Sequence, residues 1–337
     1  MIYATTLLSM KTSRYFAQAP IAELYEWFAL EAEPSSPAWA RVCRQVAATP
    51  SLAAALNALP GVARQPNLFL GAMKYLGGPL DAGPELPGWV ASHWPQIERL
   101  VTTRFTQTNE VGRCAVIAPA LTSLPQPIAL IEVGMSAGLG LFPDLYGYRW
   151  QLDDGSAVTA GSADGPQIEC AVTGSGLPLA LPHIVWRAGI DRNPLDPEDP
   201  RDVAWLKALV WPGEEHREER LASALRLVAG RDVLTVAGDI TDALPGVVAA
   251  APSSATVVVV HSATLAYLSR EQRERHLAML ADLGVHWVSN EGVKVVPEVR
   301  DALPAGFEDD PRPCFVLALD GSPLARVGSH GQWLEWL

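Results

Sequence analysis

A run of small residues near the middle of the chain could hold a ligand. Residues 128–138 are predicted to form a buried strand that continues into a turn, Glu-Val-Gly-Met-Ser-Ala-Gly at 132–138. Gly134, Ser136 and Gly138 let the backbone pass close to a ligand and present amide groups to it at a helix N-terminus. We therefore predict a ligand-binding turn here, assisted by Glu132.

Two later carboxylates could bind a nucleoside. Asp191 stands in Gly-Ile-Asp-Arg-Asn-Pro at 189–194, where it could accept hydrogen bonds from two ribose hydroxyls. Asp239 and Ile240 stand in Ala-Gly-Asp-Ile-Thr-Asp at 237–242, and this carboxylate suits an amine such as that of adenine. Judged singly, each is equally consistent with a carboxylate that caps a turn or a helix.

Three side chains are candidates for acid–base chemistry. His261, followed by Ser262, ends a valine run, and a neutral imidazole there could take a proton from a nucleophile. Glu291 follows another strand, where burial could raise its pKa toward that of a general base. Tyr267 is a candidate for the substrate loop. The alternatives are a structural histidine, an ion pair of Glu291 with an arginine such as Arg187, and a core tyrosine.

A dense polar group precedes the first predicted strand and consists of Gln107, Asn109, Glu110 and Arg113. By the methyltransferase resemblance described below, this segment would cover the methionine end of the cofactor. These side chains could equally form a network of helix caps and hydrogen bonds between domains. Asn109, Glu110 and Arg113 are the predicted substrate-binding residues.

The same glycine turn is also a Gly-x-Ser-x-Gly sequence, which exposes a nucleophilic serine in α/β-hydrolases. Ser136, an acid and His330 near the end would give the order of a Ser, Asp, His triad. A hydrolase, however, needs strands and an oxyanion-hole loop before its nucleophile, and the preceding residues have a helical pattern. Serine hydrolysis is therefore the less favoured alternative.

The pattern of apolar residues predicts an α/β protein. From about Thr12 to Arg104 the spacing indicates four or five helices, whereas from residue 127 short apolar runs alternate with helices, as in a mostly parallel, Rossmann-like sheet. We predict a helical cap or substrate region at 1–120 and a sheet domain at 121–337. The predicted core strands are Ile128–Val133, His183–Ile190, Asp232–Ala237, Thr256–His261 and Val285–Asn290.

Two pairs of strands stand apart from this alternation. Gly147–Leu152 and Gln167–Val172 are predicted to form a β-hairpin within an insertion at about 147–182. Phe315–Leu319 and Leu324–Val327 are predicted to form an antiparallel C-terminal pair around an Asp-Gly turn. Between the core strands, helices are predicted after Asp199-Pro200 and over Glu215–Ala229.

Amino-acid composition limits the classes of partner that the chain is expected to bind. Of its 337 residues, 37 are acidic and 25 basic, for a net charge of −12, so nucleic acid is not expected as a partner and a small or cationic substrate is favoured. Four distant cysteines lack metal-ligand spacing and are expected to be reduced thiols. The N-terminus lacks a secretion signal, so we expect a soluble cytoplasmic protein, and a homodimer or partner protein stays open.

The Glu-x-Gly-x-Ser-x-Gly turn, the Gly-Ile-Asp turn and the Gly-Asp turn occur in the order that resembles class I S-adenosylmethionine-dependent methyltransferases. This resemblance covers roughly residues 105–337 and includes the antiparallel strands at the end. It implies that Gly134, Ser136 and Gly138 lie under the methionine and ribose, and that Asp191 binds the ribose. By the same resemblance, Asp239 and Ile240 bind adenine, and 257–267 correspond to the fourth strand and its loop, which contains His261 and Ser262. The insertion and Ser136, in place of a glycine, depart from that family.

A closer resemblance is to an uncharacterised bacterial family, the domain of unknown function numbered 2332. It is carried by four segments, residues 103–110, 132–139, 187–196 and 209–212, and it implies no activity. The methyltransferase resemblance implies transfer of a methyl group to a small molecule. The alternatives are the same fold used for cyclisation or elimination, a ligand-binding partner subunit, and serine hydrolysis.

Overall fold

The computed structural model describes residues 18–307, 310 and 312–337, so residues 12–17 of the predicted helical region lie outside the described residues. The α-helices are α1 Ile21–Ala32, α2 Pro37–Ala48, α3 Pro50–Asn57, α4 Pro66–Tyr75, α5 Leu86–Thr103, α6 Cys114–Thr122, α7 Pro200–Ala208, α8 Glu215–Val228, α9 Ile240–Ala250, α10 Arg270–Leu283 and α11 Pro297–Asp301. The strands are β1 Ile128–Val133, β2 Gly147–Leu152, β3 Ala157–Ala160, β4 Gln167–Thr173, β5 Ile184–Asp191, β6 Leu234–Ala237, β7 Thr256–Ser262, β8 His286–Gly292, β9 Phe315–Leu319, β10 Ser322–Val327 and β11 Trp333–Trp336.

The chain divides into two compact units. Unit 1 contains the residues up to Thr108 together with Asp199–Glu219, and unit 2 contains Asn109–Glu198 and Arg220–Leu337. This division differs from the predicted one in two respects. Its first boundary lies before α6, not near residue 120, and a segment between β5 and β6 belongs to the helical unit.

Unit 1 is helical among its described residues, as the spacing of apolar residues predicts. Its helices α2, α3 and α4 each begin with a proline, which is compatible with the first helical turn. The buried Trp205 of α7 donates a hydrogen bond from Nε1 to the Phe105 carbonyl, at 3.0 Å. Lys74 Nζ donates to the carbonyls of Lys207 and Val210, and so provides hydrogen-bond donors for carbonyl groups at and just after the C-terminal end of α7. These long-range contacts place the segment with unit 1.

Unit 2 is built on one sheet, and in the described residues its eleven strands follow the order β3-β2-β4-β11-β10-β9-β8-β7-β1-β5-β6. The five strands β6-β5-β1-β7-β8 run parallel. Their order is that of an open, Rossmann-like sheet, in which the direction of strand succession reverses between β1 and β7. Ligands of such sheets bind beyond the carboxyl ends of the strands at this switch point.

The two faces of this parallel sheet have different characters. Side chains alternate along a strand, and Glu132 is in register with Gly189 and Val260, so Asp191, Ser262 and Asn290 share its face. We call this the Glu132 face. The opposite face packs against an apolar cluster that includes residues of α9 and α10, and we call it the core face. It carries Ile131, Val133, Ala188, Ile190 and Val259.

The predicted insertion is strand-rich, but the predicted pairing within it is wrong. Strands β2 and β4 lie side by side in parallel, and β2 forms its antiparallel hairpin with β3. The reason is the short strand β3, which follows a turn with Gly155 at φ 85° and forms the antiparallel pair on one side of β2, while β4 pairs on the other side. Strand β4 then pairs with β11, so the insertion continues the main sheet. The predicted C-terminal antiparallel pair is confirmed as β9 and β10.

No helix among the described residues is both long and apolar enough to cross a membrane.

Candidate functional site

The turn that follows β1 has an unusual backbone. Gly134, Ser136 and Gly138 adopt φ values of 75°, 53° and 72°, in the left-handed region that favours glycine. A side chain on Gly134 would lie 2.4 Å from Thr264 Oγ1, so the loop after β7 packs directly on the turn. The turn continues into the three-residue 3-10 helix Leu139–Leu141, so the predicted α-helix N-terminus is not formed. Pro143 disfavours helix at the residue before it.

Ser136 is held by its backbone, and its side chain is buried. The Ser136 amide donates to Asp191 Oδ2 at 2.9 Å, and the Ser136 carbonyl accepts from Leu195 N at 3.0 Å. Its Oγ has no hydrogen-bond partner among the described residues. The left-handed conformation costs a non-glycine residue about 1–2 kcal/mol.

Asp191 joins the ends of β1 and β5. Besides the Ser136 amide, its carboxylate accepts a hydrogen bond from Asn193 N at 2.8 Å. The turns after the two strands are therefore fixed relative to each other by one side chain. This is the turn-capping role of the alternative, and ribose binding by Asp191 stays a prediction.

Glu132 is partly accessible, but its Oε2 is buried and has no hydrogen-bond partner among the described residues. A side chain on Gly140 would lie 2.3 Å from Glu132 Oε1, so any larger residue at this position would displace the carboxylate. Burial, reinforced by the charge of Asp191, raises the pKa of Glu132 to about 8, and Arg113 opposes this rise. A carboxyl in this state is a frequent feature of functional sites.

The segment Asn109–Arg113 bridges the switch point. Asn109 Nδ2 donates to the Met135 carbonyl in the glycine turn, at 2.9 Å. Arg113 Nη1 donates to the Ser262 carbonyl at the end of β7, at 3.3 Å. Asn109 is thus placed at the glycine turn and Arg113 at the end of β7, whereas Gln107 belongs to unit 1.

Glu110 is the carboxylate of this bridging segment, and its side chain is buried. Its Oε1 accepts hydrogen bonds from Gly112 N and from Arg220 Nη2, each at 2.9 Å. The predicted alternative of local capping is therefore realised for Glu110. It does not exclude a further role, because the second carboxylate oxygen lies 3.4 Å from His330 Nδ1.

The predicted acid–base pair lies on the core face. His261 and Glu291 are almost fully buried, and His261 Nδ1 is 3.6 Å from Glu291 Oε1, too far for a hydrogen bond. The His261 ring stacks on Trp287 at 5.5 Å and lies 5.8 Å from the His276 ring of α10. The structure therefore does not bring these two side chains to the face that carries Glu132 and Asp191.

Glu291 has a clear structural contact. Its Oε1 accepts the amides of Thr264 and Leu265, at 2.8 and 2.9 Å, and so fixes the loop after β7. The predicted alternative partner, Arg187, instead forms an ion pair with Asp144. Tyr267 lies in the same loop and is 74% exposed, so it is not a core tyrosine.

Asp239 caps a helix. It is the N-cap of α9, where it accepts hydrogen bonds from the amide and hydroxyl of Thr241, and it pairs with Arg192. These contacts, with Arg192 the largest contributor, lower the pKa of Asp239 to about 2. Ile240 begins α9 and is buried in the apolar cluster.

Ser262 and Asn290 complete the Glu132 face, and Asn290 was not anticipated. Asn290 Nδ2 donates to Ser262 Oγ at 3.0 Å, and its Oδ1 is buried without a partner among the described residues. The sequence signal was the alternation along β8, since Asn290 and Glu291 must point to opposite faces. Choosing between them required the register with β7.

Among the described residues, neither the cysteines nor the side chains that could bind a metal indicate a further site. Cys43, Cys114 and Cys170 are buried free thiols, and Cys314 is a partly buried one. Within the described ranges, no group of three or more His, Cys, Asp or Glu side chains is placed to hold a metal ion.

A family model matches the chain. The model of a family described as uncharacterized protein conserved in bacteria, DUF2332, matches residues 22–336. Neither a curated protein nor a solved structure matches the chain. Because the match spans nearly the whole sequence, the chain belongs to this DUF2332 family of bacterial proteins.

Proposed function

We propose that this protein is an S-adenosylmethionine-dependent methyltransferase that acts on a small molecule. The observation that carries the proposal is the strand order β6-β5-β1-β7-β8, with the glycine turn after β1 tied to Asp191 at the end of β5. In sheets of this order, a nucleotide-type ligand lies at the switch point beside such a turn.

The Glu132 carboxylate shows whether the residues at the switch point suit this cofactor. Its buried Oε2 lacks a donor in the described structure, and the ammonium group of an amino-acid-containing nucleoside would supply a charge-assisted one. Asp191 would hold the ribose, and the backbone of residues 134–138 would lie beside the methionine portion. When bound, this cofactor supplies a methyl group made electrophilic by its sulfonium.

The protein's own contribution is positioning and exclusion of water. Methyl transfer gains most from holding the reacting groups in line, which can lower a barrier by about 7–11 kcal/mol. Asn109 and Arg113 hold the bridging segment at the ends of β1 and β7, where an acceptor would approach. His261 and Glu291 stay predicted acid–base residues, and the turnover of His261→Ala and Glu291→Gln at unchanged cofactor binding tests them.

Thermal unfolding with S-adenosylhomocysteine tests the cofactor. Ligand at 100 times its dissociation constant should add about 2.7 kcal/mol, which raises Tm by at least a few degrees. NAD⁺ is the control, because dinucleotides use the same strand order. No shift at millimolar S-adenosylhomocysteine, or an equal shift with NAD⁺, contradicts the proposal.

A second candidate is the same fold without methyl transfer, as a ligand-binding subunit or a catalyst of cyclisation or elimination. Asp239 favours it, because this carboxylate caps α9 and pairs with Arg192 where the methyltransferase resemblance puts an adenine contact. Binding of S-adenosylhomocysteine without consumption of S-adenosylmethionine in the presence of small-molecule extracts would support this candidate.

Ser136 is expected to resist a fluorophosphonate. Its hydroxyl is buried and has no hydrogen-bond partner among the described residues, whereas a nucleophilic serine needs an exposed Oγ beside a base. Intact-mass and peptide analysis after treatment should show no adduct at Ser136, while a serine esterase treated in parallel is labelled. An adduct that disappears in Ser136→Ala would instead establish the hydrolase alternative.

A further inference from the structure

The turn formed by residues 328–331 is docked on the bridging segment Asn109–Arg113. Arg113 Nε donates to the Ser329 carbonyl at 2.8 Å, and the same guanidinium reaches the Ser262 carbonyl. A side chain on Gly112 would lie 2.4 Å from the His330 carbonyl, and one on Gly331 would lie 2.1 Å from the Gly112 carbonyl. This close backbone contact brings His330 to the end of β7.

The imidazole of His330 faces a fixed carboxylate. Glu110, with a side chain only 4% exposed, is held by the amide of Gly112 and the guanidinium of Arg220, and its Oε2 lies 3.4 Å from His330 Nδ1. The His330 side chain itself is 40% exposed. His330 Nδ1 is itself buried and has no hydrogen-bond partner among the described residues, so Glu110 acts on it through its charge at 3.4 Å. A carboxylate behind an accessible imidazole can orient a histidine for proton transfer.

The other histidine at the end of β7 is not accessible. His261 is fully buried on the core face, whereas the His330 side chain is 40% exposed at the ends of the strands. A base must reach its proton directly or through one water. Accessibility therefore favours His330 over His261.

We propose that His330 is the proton acceptor of the site and that Glu110 positions it. The inference rests on the proposed methyl transfer and specifies its acceptor as a neutral amine or a hydroxyl. As a lone pair of that nitrogen or oxygen forms the new bond to the methyl carbon, the carbon–sulfur bond breaks and its electrons remain on the thioether. His330 Nε2 accepts the proton that leaves the acceptor, and Glu110 stabilises the imidazolium.

The chain contains a matched control. His286 is 42% exposed and its Nδ1 lies 2.7 Å from Asp320 Oδ2, but this pair belongs to the start of β8, at the opposite end of the parallel strands. His330 and His286 are thus two half-exposed histidines beside carboxylates. Only His330 is placed at the switch point.

Carbethoxylation by diethyl pyrocarbonate, mapped by peptide mass, tests the location of His330. Saturating S-adenosylhomocysteine should slow modification of His330 at least fivefold and leave His286 unprotected. Equal modification of His330 with and without bound ligand would overturn the inference. If S-adenosylhomocysteine does not bind in the thermal unfolding assay, the proposed function is contradicted, and the role of His330 as base is contradicted with it.

Turnover tests the role of His330. With a bacterial small-molecule extract as the source of acceptor, His330→Asn should form S-adenosylhomocysteine about 10²–10⁴ times more slowly than the wild type. Its dissociation constant for S-adenosylhomocysteine should stay within twofold, and His286→Asn should match the wild type. Normal turnover by His330→Asn would contradict the role of His330 as base but leave the proposed methyl transfer standing. If the wild type binds S-adenosylhomocysteine but shows no turnover, both the proposed methyl transfer and the role of His330 are contradicted.

Discussion

Glu132→Gln is expected to make the protein more stable than the wild type at pH 8.5 and nearly equal to it at pH 5. The pKa of Glu132 is raised from 4.5 to about 8, mainly by burial. Between these values the folded state keeps a proton that the unfolded state releases, so the free energy of unfolding falls as pH rises. Each pKa unit corresponds to about 1.4 kcal/mol, which gives an upper limit of about 4 kcal/mol.

Denaturant unfolding at half-unit steps from pH 5 to 9 measures this difference. Glu169→Gln, which changes an exposed glutamate of β4, is the control and should follow the wild-type curve. A constant difference between Glu132→Gln and the wild type across this range would show that Glu132 does not carry the raised pKa.

The same variant separates stability from function. If Glu132 accepts a hydrogen bond from an ammonium group, Glu132→Gln should weaken binding of S-adenosylhomocysteine at pH 8.5 by about 10- to 100-fold, the range for a hydrogen bond to a charged group. A protein that gains stability and loses its ligand shows the trade-off expected at a functional site. Unchanged affinity would remove Glu132 from the ligand site.

His276→Leu is expected to protect the protein from acid. The pKa of His276 is lowered from 6.5 to about 3, first by burial and then by His261, while Asp239 opposes this. Below pH 6.5 the unfolded state takes up a proton that the folded state does not, so the free energy of unfolding falls as pH falls toward 3. The variant should gain up to about 3 kcal/mol over the wild type at pH 4.

The groups around His276 explain why leucine is expected to be tolerated. Both ring nitrogens of His276 and both of His261 lack hydrogen-bond partners among the described residues, as does Glu291 Oε2. Replacing an unsatisfied buried polar group by an apolar one of similar size is neutral or stabilising. His216→Leu, at an exposed position, is the control.

Ligand binding in His276→Leu bears on the role of the core face. If His261, Glu291 and His276 serve packing, the affinity for S-adenosylhomocysteine should match that of the wild type. A loss of affinity with increased acid stability would instead place the core face in the ligand site. Near-ultraviolet circular dichroism checks that the fold around Trp287 is retained.

Local sequence patterns predicted most of the elements that carry the site. The predicted core strands agree with β1, β5, β6, β7 and β8 to within two residues at each end. Strands β1 and β7 are largely buried and contain continuous apolar runs, which can be recognised without knowledge of their neighbours. Strand β6 lies at the edge of the sheet and is mostly exposed, so its short apolar run and the flanking polar residues marked it instead. The helix start at Asp199-Pro200 could also be predicted from local sequence. Asp199 accepts its capping hydrogen bond from Arg201 N, only two residues away.

Pairing between distant segments was not predictable in this way. Both strands of the predicted hairpin exist, but β3 displaces β4 from the antiparallel position beside β2. No local sequence pattern indicates that residues 199–219 belong to unit 1. They belong to it through long-range contacts, such as the hydrogen bonds from Lys74 to the carbonyls of Lys207 and Val210. Non-local contacts depend on the whole fold, so a local pattern does not specify them.

The sequence by itself determined which chemical groups lie near the ends of the parallel strands, including Glu132, Asp191, His261 and Glu291. Only the tertiary structure decided which of them can meet. Register between parallel strands sets the face to which each side chain points, so Asn290 joins Glu132 while Glu291 is buried behind the sheet. The glycine turn after β1 keeps its predicted place, with Ser136 held through its backbone and its hydroxyl turned into the protein.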